Sequence, residues 1–244
     1  MKFIQTITHG LGFGTMDFIG GVVFIVGTGL FLVEIFGYRL SLFPFRVRRN
    51  GVKWTTMALV IVAVSAAIYG GGLAATAGIP IVPGYNWFRP ANALTPVLGI
   101  LFGVPGSLGA GLGNLIADTL GGYLSLGSIA GFIGNFLNAY IPYLIVRKAI
   151  QADLSSVADW GRFYFAIIAA AFVLSFYIGF FLNWLKLIPP QAIWVGFFGS
   201  AWFNILTTGF ILSPILLKLL LPYVRSLGLY APESSDGQKF EVTG

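Results

Sequence analysis

Cysteine is absent from this 244-residue chain, and histidine occurs once, as His9. A disulfide framework, a thiol nucleophile and a Cys-ligated metal are therefore excluded, and a single imidazole cannot make a histidine cluster. Charge is scarce too: Asp, Glu, Lys and Arg make up 9% of residues, against about 25% in soluble domains. No Walker A loop, no H-E-x-x-H and no nucleophile–base–acid set is found, so the chain does not read as an enzyme and calls for no cofactor. "GLGFG" at 10–14 has no strand before it and carries no nucleotide-binding meaning. The formal charge is +6, but in so apolar a chain the location of the cations matters more than their sum, and nucleic acid is not an expected partner.

What is abundant is grease. Hydrophobic residues make up 57% of the chain and mean hydropathy is +0.88, which predicts an all-α integral membrane protein. A crossing helix needs about 20 apolar residues. Stretches at 18–36, 56–75, 163–185 and 191–221 qualify, the first interrupted only by Glu34. The first lacks a cleavage pattern and reads as a retained helix, not a signal peptide. The uncharged run 119–146 holds one further helix, at 125–146, with Pro142 near its end. The run 90–117 is broken by "FGVPGS" at 102–107, which leaves two short helices over 90–103 and 106–120. Each would reach only about 20–23 Å, short of the ~30 Å hydrocarbon core, a length suited to lining a cavity. The expected architecture is a six-helix bundle preceded by one leading helix. A leading helix and basic loop occupy 1–54, the membrane core 55–224, and a polar, disordered tail 225–244.

"YRLSLFPFRVRRNGVK" at 38–53 carries five cations and no acid, which marks the cytoplasmic side. Alternate threading then leaves only Lys2, Arg89 and Lys186 of the fourteen cations outside. The prediction is a multi-pass protein of the cytoplasmic membrane with its C-terminus inside and its N-terminus outside.

Polar residues collect toward the outer side. "GGLAATAGIPIVPGYNWFRPAN" (71–92) is a long connection containing Tyr85, Trp87, Phe88 and Arg89. Its aromatics suit either a lid that stacks on a planar ligand or an interfacial belt. Arg89 opens the first short helix and Asp118 closes the second, so the two are natural partners, as a plain ion pair or as contacts to a polar substrate. Asn114 lies one turn from Asp118 on the same face. Asn135 and Asn138 lie three apart on the next helix, and Asn204, Thr207 and Thr208 lie in the last span. Amides in lipid face the bundle interior, as interhelical glue or as a cavity lining. Gly109/Gly113 and Gly127/Gly131 are small-xxx-small pairs that allow close helix approach. Asp17 and Glu34 read as interfacial, with Arg39 a partner for Glu34.

"FRPANALTPVLGILFGVPGSLGAGLGNLIADTLGG" (88–122), followed by "GSIAGFIGNFLNAYIPYLIVRK" (127–148), resembles the substrate-binding S components of energy-coupling factor (ECF) transporters. The corresponding pieces are the long loop at 71–92, the F-G-x-P-G-x-x-G-A turn at 102–110 and G-N-L-I-A-D at 113–118. The resemblance covers roughly 55–221 and implies six helices that capture a vitamin-like micronutrient from outside. It also implies a transmembrane T component and ATPase subunits as partners, the ATPases doing the hydrolysis. An A-x-x-x-A motif that packs on the T component matches Ala63 and Ala67. The leading helix departs from the six-helix module, and the Met-His start of metal-specific relatives is missing, which argues against a metal substrate. Queuosine precursors, cobalamin, riboflavin or another aromatic micronutrient fit. The expected substrate contacts are Arg89, Asp118, Asn114, Trp87, Phe88, Asn92, Asn135 and Asn138. A non-catalytic structural subunit of a larger membrane complex is the alternative.

Overall fold

A computed structural model of the protein describes residues 2–41, 46–49, 51–76, 80–82, 86–146 and 154–231. The helices are α1 (Lys2–Ile35), α2 (Thr56–Thr76), α3 (Leu94–Leu120), α4 (Leu126–Val146), α5 (Val157–Trp184) and α6 (Phe198–Ser226). A 3₁₀ turn (Pro90–Ala93) leads into α3, and a π-helical turn (Ala192–Phe197) leads into α6. Counting those turns with the helices they enter, all six helices are long and apolar enough to cross a membrane. Two short antiparallel ladders complete the described residues: β1 (Arg39–Ser41) with β2 (Arg46–Arg48), and β3 (Pro80–Val82) with β4 (Asn86–Trp87). The fold is an all-α integral membrane protein.

The count of six conceals seven limbs, because α3 folds back on itself. Its kink falls on Gly103, at φ 61° and ψ −136°, a region that glycine enters without steric cost. In a continuous helix Gly106 would stand about 12 Å along the axis from Leu98. Here a Cβ placed on Gly106 would instead run into the Leu98 carbonyl oxygen. The first limb descends beside α4: Thr95 meets Asn138, Gly99 packs on Ala139 and Gly103 on Tyr143. The second limb climbs back beside α2, with Gly109 on Val62 and Ser65 and Gly113 on Ala66 and Gly70. The two short helices expected from the sequence are therefore present. The break is narrower than 102–107, since Pro105 already lies in the second limb. There it stands in the opening turn, where its missing N–H is not needed. α4 consequently starts at the end of the bundle where α2 stopped.

Several boundaries differ from the sequence reading, each for a local reason. α2 runs on to Thr76, so the connection begins after Thr76 and not at 71. The glycines at 70–72 are packing positions in the helix, where Gly70 touches Gly113 and Gly72 faces Ala91. α5 starts at Val157, six residues before the expected start, because Ser156 and Asp159 form a reciprocal capping box. Residues 77–79, 83–85, 147–153 and 232–244 lie outside the described residues, and with them Tyr85 and most of the expected tail.

α1 lies on the periphery, where 17% of its span is buried. Gly20, Gly21 and Gly27 let it press against Phe180 and Tyr177 of α5 and Leu137 of α4. Thr28 Oγ1 and Tyr177 OH are hydrogen-bonded at 2.9 Å, and Asn183 Nδ2 donates to Asp17 Oδ1 at 2.7 Å. Glu34, at the end of the span, is shielded within the protein at 1% exposure. Its carboxylate accepts from Leu40 N at 3.1 Å and from the Tyr140 hydroxyl of α4. Glu34→Leu is expected to cost about 1–3 kcal/mol by removing the buried acceptor that the Leu40 N–H and the Tyr140 hydroxyl share. Thermal unfolding in detergent checks it, and an unshifted transition would mean that this contact does not fasten α1.

Candidate functional site

Asparagine inside a membrane helix must find partners, since hydrocarbon offers none. In this bundle the amides find one another. Asn114 on the second limb of α3 donates from Nδ2 to Asp118 Oδ2 at 3.0 Å. Its Oδ1 accepts from Asn135 Nδ2 at 3.0 Å, and Asn135 also donates to the Gly131 carbonyl at 2.9 Å. Asn135 Oδ1 accepts from Tyr69 OH at 2.7 Å, and that hydroxyl also lies 3.1 Å from Asn92 Oδ1. The approach that makes this chain possible comes from Gly131, where a Cβ would stand 2.6 Å from Asn114 Nδ2. Asn138 donates from Nδ2 to Thr95 Oγ1 at 2.8 Å.

These groups border a cavity of about 420 Å³ in the half of the bundle away from the basic β1–β2 ladder. That volume falls within the roughly 300–1,000 Å³ of small-molecule sites. One wall carries Tyr69, Asn92, Asn114, Asn135 and Asn138; the other is Leu174 and Ile178 of α5 with Ala192, Gly196 and Phe197 of the π turn and Ser200, Ala201, Asn204 and Ile205 of α6. Arg89 stands between them. Its main-chain N–H donates to Asn204 Oδ1 at 2.8 Å, which ties the start of the 3₁₀ turn to α6. Among the described residues its guanidinium has no hydrogen-bond or ion-pair partner, yet it belongs to the cavity wall. A cation with unused donors beside a set of amides can hold a carbonyl or anionic group of a polar ligand while the amides satisfy its N–H and C=O edges.

Of the eight residues expected to contact substrate, the structure brings Arg89, Asn92, Asn114, Asn135 and Asn138 to this cavity. Asp118 stands one hydrogen bond behind, on Asn114. The expected Arg89–Asp118 ion pair is not formed among the described residues. The physical reason is local, since an amide one turn away on the same helix supplies Asp118 with a donor. Phe88 is half-buried and is not among the cavity-lining residues. The Trp87 side chain lies outside the described residues. The sequence reading missed Tyr69, Asn204 as a site residue, and the π turn. The signal for Tyr69 was available, because a tyrosine deep in an apolar span needs a partner for its hydroxyl. The π turn has no sequence signature, although such turns recur at functional sites.

Among the described residues no group of three or more acidic or histidine side chains converges to hold a metal. Ala63 and Ala67 are exposed on the outer face of α2, beside Val60, Val64 and Ile68.

The fold and the cavity together define a multi-pass membrane protein with an amide-bearing pocket sunk into one end of a helix bundle. A family model described as QueT transporter matches residues 59–220, more than half of the chain, and the chain belongs to that family of S components of ECF transporters. It is a transporter subunit and not an enzyme. No curated protein and no solved structure matches it. The match begins after α1, so the leading helix and the basic ladder lie outside the family's module.

Proposed function

We propose that this S component captures a queuosine precursor from the outer side of the membrane and delivers it to a T component and two partner ATPases. The family match supplies the substrate class, and a guanidinium with no partner among the described residues beside four asparagines of the cavity wall supports it. A precursor of queuosine, a modified guanine nucleoside, presents a flat edge of alternating N–H donors and a carbonyl. Asn92, Asn114, Asn135 and Asn138 suit the edge, and Arg89 suits the carbonyl. Asp118 acts behind Asn114 and does not touch the ligand. Phe88 and Trp87 are the aromatics that would stack over the ligand. The cations of 38–53 put the end opposite the pocket in the cytoplasm, so the pocket opens outward. Ala63 and Ala67, small and exposed on α2, are the docking stripe for the T component.

The test uses the full chain purified in detergent. Queuine, the free base of queuosine, is titrated against tryptophan fluorescence, with riboflavin and cobalamin as competitors and with mass spectrometry of any co-purified molecule. The expected result is saturable queuine binding that neither competitor displaces. Binding of riboflavin or cobalamin instead would overturn the substrate class. Ala63→Leu is expected to leave queuine binding intact while reducing co-purification with the T component; unchanged co-purification would remove that stripe from the interface.

A further inference from the structure

Asn138 is 1% exposed and lines the cavity, and the way its amide faces is dictated by one proton. The Thr95 hydroxyl has a single proton, which it donates to the Asn92 carbonyl oxygen at 2.9 Å. With that proton committed, Thr95 Oγ1 can only accept, and it does so from Asn138 Nδ2 at 2.8 Å. Turning the amide over would set two acceptors against each other. Asn138 Oδ1 is therefore left over, buried and without a hydrogen-bond partner. Buried carbonyl oxygens without a donor are uncommon in folded proteins and cost free energy until something supplies one.

The other amide oxygens of the cavity are supplied from within. Asn114 Oδ1 has Asn135 Nδ2, Asn135 Oδ1 has Tyr69 OH, and Asn204 Oδ1 has the Arg89 N–H. Asn92 Oδ1 is the exception, because the single Tyr69 proton is shared between it and Asn135. The cavity wall thus lacks one proton at Asn138 and part of one at Asn92. An exocyclic amine on a heterocycle carries two N–H donors on one atom, one for each of these acceptors.

We infer that Asn138 Oδ1, assisted by Asn92 Oδ1, is the acceptor that reads an exocyclic amine on the heterocyclic ligand. This rests on the reading of the pocket as the site for a queuosine precursor. Asn138 is then the residue that separates an aminated ring from the same ring without its amine. A site built to hydrogen-bond a group rejects the analogue lacking it, because its own acceptor is left unpaired.

The experiment compares 7-deazaguanine with 7-deazahypoxanthine, which differ only in the 2-amine, by titration of the full chain in detergent. Wild type is expected to prefer the aminated base by at least about tenfold. Asn138→Leu is expected to bring the two affinities within about threefold of each other by removing the acceptor. Should that variant not fold, Thr95→Val frees the amide to turn and is expected to shrink the ratio severalfold. Equal binding of the two bases by wild type overturns the role of Asn138 and leaves the pocket standing. Failure of wild type to bind queuine or either base overturns the substrate reading, and this inference with it.

Discussion

Gly99→Val is expected to yield no folded protein. The first limb of α3 lies against α4 so closely that a Cβ at Gly99 would occupy the position of the Ala139 carbonyl group. Backbone cannot move aside as the end of a side chain can, and relief would require separating two helices along their whole contact. Overpacking a core by a methylene typically costs about 1–3 kcal/mol; a clash with main chain from a β-branched residue exceeds that range. The measurement is the monodisperse fraction after extraction in detergent, followed by thermal unfolding. Gly29→Ala and Gly71→Ala serve as controls, since nothing lies within 4 Å of a Cβ at either position. Both should stay within about 0.5 kcal/mol of wild type. A folded Gly99→Val with an ordinary melting transition would mean that α3 and α4 do not touch in this way.

Arg89→Ala is expected to weaken queuine binding by roughly a hundredfold while leaving the melting transition in place. A hydrogen bond to a charged group contributes about 1.5–3 kcal/mol, and each 1.4 kcal/mol is tenfold in affinity. The fold should tolerate the change because the anchoring bond to Asn204 comes from the main chain of residue 89, which alanine keeps. Arg89→Lys should recover part of the loss, as it restores the charge but not the planar fork. Titration of both variants beside wild type checks the expectation, and unaltered affinity in Arg89→Ala would remove this cation from the contact set.

The division between what was legible in the sequence and what was not follows from the range of each interaction. The folded-back α3 was legible because Gly103, Pro105 and Gly106 are local breakers, and because the cations reach one side only if that stretch crosses twice. The amides were legible because each is costly in lipid and has to face inward. The partner of Asp118 was not, since choosing between Arg89 and Asn114 depends on how the two limbs of α3 sit. Proximity along one helix prevailed over charge complementarity across the bundle. The span 56–75 was legible as α2, but the start of the connection at 71 was not, because glycine marks both loops and tight helix contacts. The partners of Glu34 were not legible: the ladder that follows folds Leu40 back to it and Tyr140 meets it from α4. That contact depends on residues more than a hundred positions apart, beyond anything that spacing can register.

The glycine contacts have a mechanical meaning. α2, both limbs of α3 and α4 meet backbone to backbone, at Gly99 with Ala139, Gly109 with Val62, Gly111 with Phe132 and Gly113 with Gly70. Surfaces joined in that way have no slack, and the three helices behave as one stiff plate. α1 and α5 meet instead through rings, with Phe24 against Tyr177, Phe180, Phe181 and Trp184, and the π turn meets α5 through Trp194 and Phe176. The pocket therefore has one wall set by main-chain contact and one set by packed rings. Its hydrogen bonders Tyr69, Asn114, Asn135 and Asn138 are mounted on the first wall, while the second offers chiefly apolar contact.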